Sequence, residues 1–258
     1  MLLILLFVQG SIARGWRGAI VFFVILGVVS FAFEATSIAT GFPFGFFTHH
    51  TPGPRPLKVP IAVLLGYSVY GWLAWVLTKA MLGPLAVHNR LYLLAAPIAG
   101  SFVLVGYDYP WDAIGATILH THSYRTPSGL FGVPLSNFLG WLLTGWAAFQ
   151  LVALAERKWP EAPLAKTRSY LLVSPVIWAG LGLSYVLRWW SAPAGMTSVA
   201  GRTFVIADIY EASAAIALPA MLLPAIVAVI MIYAGTVGGD SPHRRHLDGA
   251  AAKGRECA

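Results

Sequence analysis

The sequence has few charged residues and almost no cysteine, and each shortage excludes a class of protein. Asp, Glu, Lys and Arg make up only 10% of the 258 residues, whereas soluble domains carry roughly 25%. The single cysteine, Cys257, excludes a disulfide framework and a cysteine-ligated metal cluster. In place of charge, 58% of the residues are hydrophobic and the mean hydropathy is +0.72. These values predict an integral membrane protein.

Long apolar stretches indicate how often the chain crosses the bilayer. A crossing needs about 20 mostly apolar residues, because a helix rises about 1.5 Å per residue. The predicted fold is all-α, a polytopic helical bundle of about six transmembrane helices. The stretches are Ala19–Phe33, Val59–Val76, Leu91–Tyr107, Phe138–Leu154, Tyr170–Leu187 and Ala214–Tyr233. We interpret the shorter run Leu2–Val8 as a half-helix or as part of a seventh span.

The distribution of basic residues predicts an orientation. If the C-terminal tail is cytoplasmic, twelve Lys and Arg lie on that side and five on the other, as the positive-inside rule requires. Topology then explains the net charge of +7, and no nucleic-acid partner is predicted. We expect residues 1–238 to form a transmembrane domain in the cell membrane. Residues 239–258 are expected to form a disordered, basic cytoplasmic tail.

The same topology places five of the ten acidic residues at the opposite, non-cytoplasmic ends of the helices. The acids are Glu34, Asp108, Asp112, Asp208 and Glu211, and four histidines join them at positions 49, 50, 120 and 122. The connections on this side are rich in Phe, Trp, Tyr and Pro. Apolar connections beside acids predict segments that fold back over a pocket. Asp208 and Glu211 share one helix face, and we interpret them as favourable charges near a helix start.

Two segments combine polar residues with turn signals in an unusual way. In the first, Glu34 ends an apolar helix and is followed by Thr40-Gly-Phe-Pro-Phe-Gly45, in which the glycines allow tight turns. In the second, Gly132-Val-Pro134 leads into Asn137-Phe-Leu-Gly-Trp141 at the start of the fourth helix. An acid close to the hydrocarbon is costly, so Glu34 is a functional candidate.

Together the two segments resemble the membrane-bound carotenoid hydratases of bacteria and archaea, which include the bisanhydrobacterioruberin and γ-carotene hydratases. The resemblance covers about half of the chain. It implies an enzyme that adds water to the terminal double bond of an acyclic carotenoid and gives a tertiary alcohol. The residues that carry it are Glu34, Thr40, Gly41, Pro43, Phe44 and Gly45, then Asp108 or Asp112, then Gly132, Val133, Pro134, Asn137, Phe138, Gly140 and Trp141.

The chemistry of hydration assigns roles to these residues. Protonation of a trisubstituted double bond leaves a tertiary cation, which water captures, so the site needs an acid, a base and electron-rich walls. A carboxyl group in an apolar setting favours its neutral, proton-donating form. The catalytic candidates are Glu34 as the acid and Asp108 or Asp112 as its partner. The substrate-binding candidates are Phe44, Gly45, Trp111, Asn137 and Trp141. No cofactor or metal is required.

Two other functions fit parts of the sequence. A membrane hydroxylase would bind a metal through His49, His50, His120 and His122, although the histidine boxes of a di-iron enzyme are missing. A transporter or passive polyisoprenoid-binding protein would explain the composition, although the paired repeats common in transporters are not evident. The expected partners are an acyclic carotenoid and the lipid bilayer, with other enzymes of the carotenoid pathway as further candidates.

Overall fold

Most residues of the protein lie in membrane-length helices. The computed structural model describes residues 1–82, 91–159 and 161–234. In this part of the chain six helical segments are long and apolar enough to cross a bilayer, so the predicted helical bundle is confirmed. The helices are α1 Leu2–Thr40, α2 Ile61–Leu82, α3 Tyr92–Thr117, α4 Leu135–Glu156, α5 Arg168–Trp190, α6 Ile206–Ala217 and α7 Leu223–Tyr233. The tail predicted at 239–258 and the boundary before it lie outside the described residues.

The first helix folds back on itself. Its backbone leaves the helical region at Arg14 and Gly15, and Gly15 has a φ of 72°. The rings of Phe7 and Phe23 are 5.4 Å apart, whereas a straight helix would separate these residues by about 24 Å. The run Leu2–Val8 therefore lies in a short arm packed against the longer arm, in agreement with the half-helix interpretation.

The short arm is also fastened to two other helices through one buried amide. Trp72 Nε1 of α2 donates to Gln9 Oε1 at 2.9 Å, and Ser174 Oγ of α5 donates to the same oxygen at 3.3 Å. Gln9 Nε2 donates to the main-chain carbonyl of Tyr170 at 3.3 Å, and the Tyr170 hydroxyl donates to the main-chain carbonyl of Gln9 at 3.0 Å. These bonds satisfy a polar side chain that would otherwise be costly in the membrane.

Small residues allow the central helices to approach closely. A Cβ built on Gly145 of α4 would lie 3.1 Å from Ser101 Cβ of α3, and one on Gly106 would lie 2.5 Å from the Ala220 carbonyl oxygen. Such close contact is typical of membrane helix interfaces. Ala220 lies in Leu218–Leu222, a π-helical turn that joins α6 and α7 into one span. Proline within and just after this turn explains the irregular backbone, because proline lacks an amide donor.

Two small antiparallel ribbons interrupt the helices, and the all-α prediction did not include them. Strand β1 (Phe47–His49) pairs with β2 (His122–Tyr124), so that Phe47 faces Tyr124 and His49 faces His122. Strands β3 (Met196–Val199) and β4 (Arg202–Val205) form a hairpin before α6. Because side chains alternate along a strand, β1 and β2 turn these four residues towards the bundle.

The helices alternate in direction, so their polar termini gather at two opposite ends of the bundle. We call the end with Glu34, Asp112 and Asn137 the site end, and the end with Arg14, Lys79, Glu156 and Glu161 the ion-pair end. The basic residues at the site end are Arg55, Lys58, Arg125, Arg188 and Arg202. For the described residues this division matches the one predicted from the sequence, whereas Arg90 and the four basic residues of the tail, Arg244, Arg245, Lys253 and Arg255, lie outside them.

Candidate active site

A cavity of about 280 Å³ lies at the site end of the bundle. Helices α1 to α4 form its walls, and the β1–β2 ribbon covers it. The ribbon is therefore the segment folded back over a pocket that the aromatic connections predicted. The cavity is lined by Glu34, Phe44, Phe47, His49, Thr51, Ala62, Val63, Gly66, Tyr67, Tyr70, Tyr107, Trp111, Asp112, Thr121, His122, Tyr124, Asn137 and Trp141.

Glu34 faces the cavity from the last turns of α1 and is only 4% exposed. Its Oε2 atom lies 3.0 Å from His49 Nε2 on strand β1, which is hydrogen-bond distance. One turn further on, Ser37 Oγ accepts from the Phe44 amide at 3.0 Å and donates to the Gly45 carbonyl at 2.8 Å. These two bonds fix the turn to the helix and hold Phe44 inside the cavity.

Asp112 faces the cavity from α3 and accepts two hydrogen bonds at one oxygen. The Tyr124 hydroxyl donates to Asp112 Oδ2 at 2.9 Å, and Asn137 Nδ2 donates to the same atom at 2.5 Å. Asn137 Nδ2 also lies 3.1 Å from Asp108 Oδ2. Asn137 thus connects the start of α4 to two acids one turn apart on α3, instead of capping its own helix.

The structure separates the two acids that the sequence left as alternatives. Asp112 lines the cavity, whereas Asp108 is fully buried behind it and does not contribute to the wall. Asn137, which lines the cavity, donates its amide to Asp108 at 3.1 Å. A role in direct contact with a substrate is therefore open to Asp112, and Asp108 is placed to support it.

The β1–β2 ribbon brings a second imidazole to Asp112. His122 Nδ1 lies 3.1 Å from Thr121 Oγ1, and His122 Nε2 lies 3.7 Å from Asp112 Oδ1 without forming a hydrogen bond. Burial lowers the pKa of His122, although the nearby Asp112 opposes this shift, so its neutral form is favoured. Burial and the charge of Asp112 raise the pKa of Tyr124, so this phenol stays a hydrogen-bond donor.

Aromatic rings form much of the remaining wall. Tyr67 stacks on Trp141 with ring centroids 4.1 Å apart, and Tyr70 stacks on Tyr107 at 3.7 Å. The predicted binding residues Phe44, Trp111, Asn137 and Trp141 all line the cavity. Gly45, predicted with them, does not: it lies in the turn with a φ of 93°, and a Cβ there would meet Ser136 Oγ at 3.0 Å.

Cations do not neutralise the acids of this site. In the described ranges, no Lys or Arg nitrogen forms a salt bridge with Glu34, Asp108 or Asp112. In the same ranges, no three His, Cys, Asp or Glu side chains converge as metal ligands. The acids accept hydrogen bonds from the Tyr124 phenol and the Asn137 amide, and the His49 imidazole lies at hydrogen-bond distance from Glu34.

Sequence reasoning missed several residues of the site. It considered His49 and His122 as metal ligands of an alternative hydroxylase and gave them no role in hydration, and it gave no role to Tyr67 or Tyr124. One signal was present: Phe47-x-His49 and His122-x-Tyr124 both show the period of two that is typical of strands. Each strand is only three residues long, so the pattern is too short to stand out.

Comparison with known proteins places the chain in a family. The family described as "Carotenoid biosynthesis protein" matches residues 1–203. The chain belongs to this family. The sequence is also 28% identical over 198 residues to the bisanhydrobacterioruberin hydratase of Haloarcula japonica, and the match covers 73% of this chain. It spans 63% of that relative, which is less than two thirds of its length. The resemblance drawn from the two motifs is therefore confirmed. No solved structure matches the chain.

Proposed function

We propose that this membrane protein of the carotenoid biosynthesis family is a carotenoid hydratase. It adds water to the terminal double bond of an acyclic carotenoid end group and produces a tertiary alcohol. The observation that carries the proposal is one aromatic cavity into which Glu34 and Asp112 project from different helices, each on its own set of hydrogen bonds. The related hydratase supports the same reaction class.

The first step is protonation of the double bond. Glu34 transfers its carboxyl proton to the less substituted carbon, and the π electron pair forms the new C–H bond. A tertiary cation remains on the neighbouring carbon, and Glu34 becomes a carboxylate. Proton transfer by a positioned group contributes typically about 10²- to 10⁴-fold to a rate. The His49 bond fixes the carboxyl group for this transfer.

The second step is capture of the cation by water. The water oxygen forms the C–O bond, and the proton that it loses passes to Asp112. Tyr124 and Asn137 both donate to Asp112 Oδ2, so Oδ1, which faces His122, is the oxygen available to the water. Asp108, behind Asn137, keeps this amide in position.

The aromatic wall protects and stabilises the cation. The face of an aromatic ring attracts positive charge, and the attraction is strongest where water is excluded. Tyr67 and Trp141 form a stacked pair beside Glu34 in the cavity lining, and Phe44 and Trp111 add further ring surface. These rings also provide an apolar lining for the isoprenoid end of the substrate.

The cavity accommodates an end group and not a whole carotenoid. Its volume of about 280 Å³ is near the lower limit of pockets that enclose a drug-sized ligand, about 300 Å³. The long polyene must therefore extend out of the cavity into the bilayer. Ala62 and Gly66 line the cavity on the first turns of α2, where Ala62 is exposed. We assign the exit for the polyene to this side.

The proposal includes the setting of the enzyme. The protein resides in the cell membrane with its C-terminus in the cytoplasm, because the basic residues predominate on that side of the predicted topology. The site end then faces away from the cytoplasm. Single cysteines introduced at Ser128 and Thr167 should label from opposite sides with an impermeant reagent.

The decisive experiment is expression in a host that accumulates an acyclic carotenoid, followed by chromatography and mass spectrometry. We expect a product heavier by one water, and its oxygen should carry the label of isotopically enriched water. A product that gains oxygen alone, and gains it from O₂, would indicate the hydroxylase instead. If the carotenoid binds to the purified protein but no new product forms, the protein would be a binding or transport protein.

A further inference from the structure

The two histidines of the β1–β2 ribbon lie directly opposite each other. His49 and His122 are Cα partners in the ladder, and their ring centroids are 6.4 Å apart at an interplanar angle of 63°. Both side chains face the cavity. The register of the ribbon therefore places two imidazoles side by side on the face of the ribbon that lines the cavity.

Each imidazole meets one of the two cavity acids. His49 Nε2 lies 3.0 Å from Glu34 Oε2. His122 Nε2 lies 3.7 Å from Asp112 Oδ1 and is a buried nitrogen without a hydrogen bond in the described chain. The order in space is Glu34, His49, His122, Asp112. These four groups form a line of proton carriers from one acid to the other.

The proposed reaction leaves the two acids in the wrong protonation states for a second cycle. Glu34 has given its proton to carbon, and Asp112 has taken a proton from water. Hydration consumes no net proton, so one transfer from Asp112 to Glu34 restores the enzyme. Both acids are nearly inaccessible, at 4% and 5% exposure, and a direct exchange with bulk solvent is correspondingly impeded.

We propose that His122 and His49 carry this proton from Asp112 back to Glu34 after each turnover. Asp112 releases its proton to His122, His122 passes one proton to His49, and His49 delivers one to Glu34. Each imidazole gains one proton and loses one, so its charge is restored, and no oxidant, reductant or cofactor takes part. The inference rests on the proposed hydration and adds a resetting step to it. The transfer between His122 and Asp112, 3.7 Å apart, and the transfer between the two imidazoles, whose ring centroids are 6.4 Å apart, each need a bridging water or a movement of the ribbon.

A competing route would use water from outside the ribbon. A second cavity of about 610 Å³ lies on the outer face of the ribbon, and His49 contributes to its lining along with Arg55 and Lys58. If His49 took its proton from solvent there, and Asp112 released its own proton to water in the cavity, His122 would be dispensable for resetting. The effect of removing His122 therefore distinguishes the internal relay from the external supply.

The test compares the first turnover with the steady state in membranes that contain excess acyclic carotenoid. In His122→Gln we expect one product per enzyme at nearly the parental rate, then a steady state slower by about tenfold or more. His49→Gln should show the same slow steady state. The matched control is His50→Gln, because His50 is exposed and bonds Ser123 on the outer side of the ribbon at 2.8 Å; it should match the parent in both phases.

A rescue experiment separates proton transfer from a structural role. His122→Ala leaves a space of imidazole size, and added imidazole should raise its steady-state rate without changing the first turnover. An unchanged steady state in His122→Gln would overturn the relay while hydration by the parent stands. A first turnover slowed as much as the steady state would also overturn it, because His122 would then act in the chemical steps. Absence of any hydrated product from the parent would refute the proposed function, and the relay with it.

Discussion

The buried acids of the site end and the half-buried acids of the ion-pair end have opposite kinds of partner. At the ion-pair end, Arg14 Nη2 lies 3.0 Å from Glu156 Oε2 and 3.4 Å from Glu161 Oε1. Lys79 Nζ lies 2.5 Å from Glu161 Oε1 and 3.5 Å from Glu156 Oε1. The indole of Trp75 adds a hydrogen bond to Glu156 at 3.0 Å. Two cations balance two carboxylates, so this end joins α1, α2 and α4 electrostatically.

At the site end, the described carboxyl groups have no cationic Lys or Arg partner. Glu34 and Asp112 contact imidazoles, a phenol and an amide, all of which can exchange or donate protons. A carboxylate paired with Arg has little freedom to take up a proton. The partner, and not the acid itself, therefore decides the role of a carboxyl group in this bundle. Cationic partners make it structural, and partners that exchange protons make it suitable for chemistry.

Protonation follows the same division. Burial alone would raise the pKa of Glu161, but Lys79 and then Arg14 hold it below its usual range, so this acid remains charged. In the ribbon, burial lowers the pKa of His122 and raises that of Tyr124, so both favour their neutral forms. One end is built from fixed charges, and the other is covered by neutral groups that carry protons.

The largest effect is expected from Glu34→Gln. Glutamine keeps the shape and the hydrogen-bonding reach of Glu34 but has no acidic proton, so hydration should slow by about 10²-fold or more. The rate is measured as product formed from an acyclic carotenoid per mole of enzyme in membranes. Carotenoid retention by the purified variant should persist, because an uncharged amide costs less than a carboxylate in an apolar site.

The control for this loss is Glu211→Gln. Glu211 is an exposed acid of α6 outside the cavity, so its hydration rate should equal that of the parent. If Glu34→Gln hydrates at the parental rate while Asp112→Asn is inactive, the acid lies on α3 and the roles assigned to the two carboxyl groups must be exchanged.

The next largest effect tests the ion-pair end. Arg14→Met removes one of the two cations and leaves Lys79 alone to balance two carboxylates, so the free energy of unfolding should fall by about 3 kcal/mol. Thermal unfolding in detergent, followed by tryptophan fluorescence, measures the change. The neighbouring Arg17 is exposed and lies over the Trp16 ring, and it forms no ion pair in the described part of the chain. Arg17→Met should unfold like the parent, and equal losses in both variants would mean that the cluster contributes no specific stability.

A smaller effect is expected at the proposed exit for the polyene. Gly66 lines the cavity, and a Cβ there would have Tyr70 Cε2 at 4.0 Å as its nearest neighbour. Gly66→Leu should therefore fold normally and obstruct the substrate, which raises KM by about tenfold. Gly27 of α1 is similarly half-buried and has no neighbour within 4 Å of its Cβ position, so Gly27→Leu is the matched control. Equal kinetics in the two variants would place the exit elsewhere.

The smallest effect concerns stability at mildly acidic pH. The pKa of folded His122 is lowered below its unfolded value of about 6.5. Above about pH 6.5, His122 is neutral in both the folded and the unfolded protein. As pH falls through about 6.5, the unfolded chain takes up a proton that the folded protein resists, so stability decreases until the pH passes the folded pKa. Melting temperatures at about pH 7.5 and about pH 5.5 should differ less in His122→Gln than in the parent. An identical difference in both would remove His122 as the cause.

Part of this arrangement could be predicted from the sequence because polar residues in an apolar chain are conspicuous. Glu34 and Asn137 were evident for this reason, and helix alternation placed them at one end with Asp112. The choice between Asp108 and Asp112 could not be made, because residues one turn apart share a helix face and only packing decides which one reaches a cavity. The pairing of His49 with His122 depends on a strand register between segments 73 residues apart (122 minus 49).

The fastening of the short arm of α1 has a consequence for how the protein is assembled. Gln9 is satisfied by Trp72 of α2 and by Tyr170 and Ser174 of α5, which are synthesised much later than the arm. Until α5 enters the membrane, the main-chain carbonyl of Gln9 lacks the hydrogen bond from the Tyr170 hydroxyl. We expect the arm to wait at the bilayer surface, where water can solvate its amide, and to settle only when the fifth helix arrives. The arm is synthesised before α2 to α7 and is then among the last of these segments to take its place in the bundle.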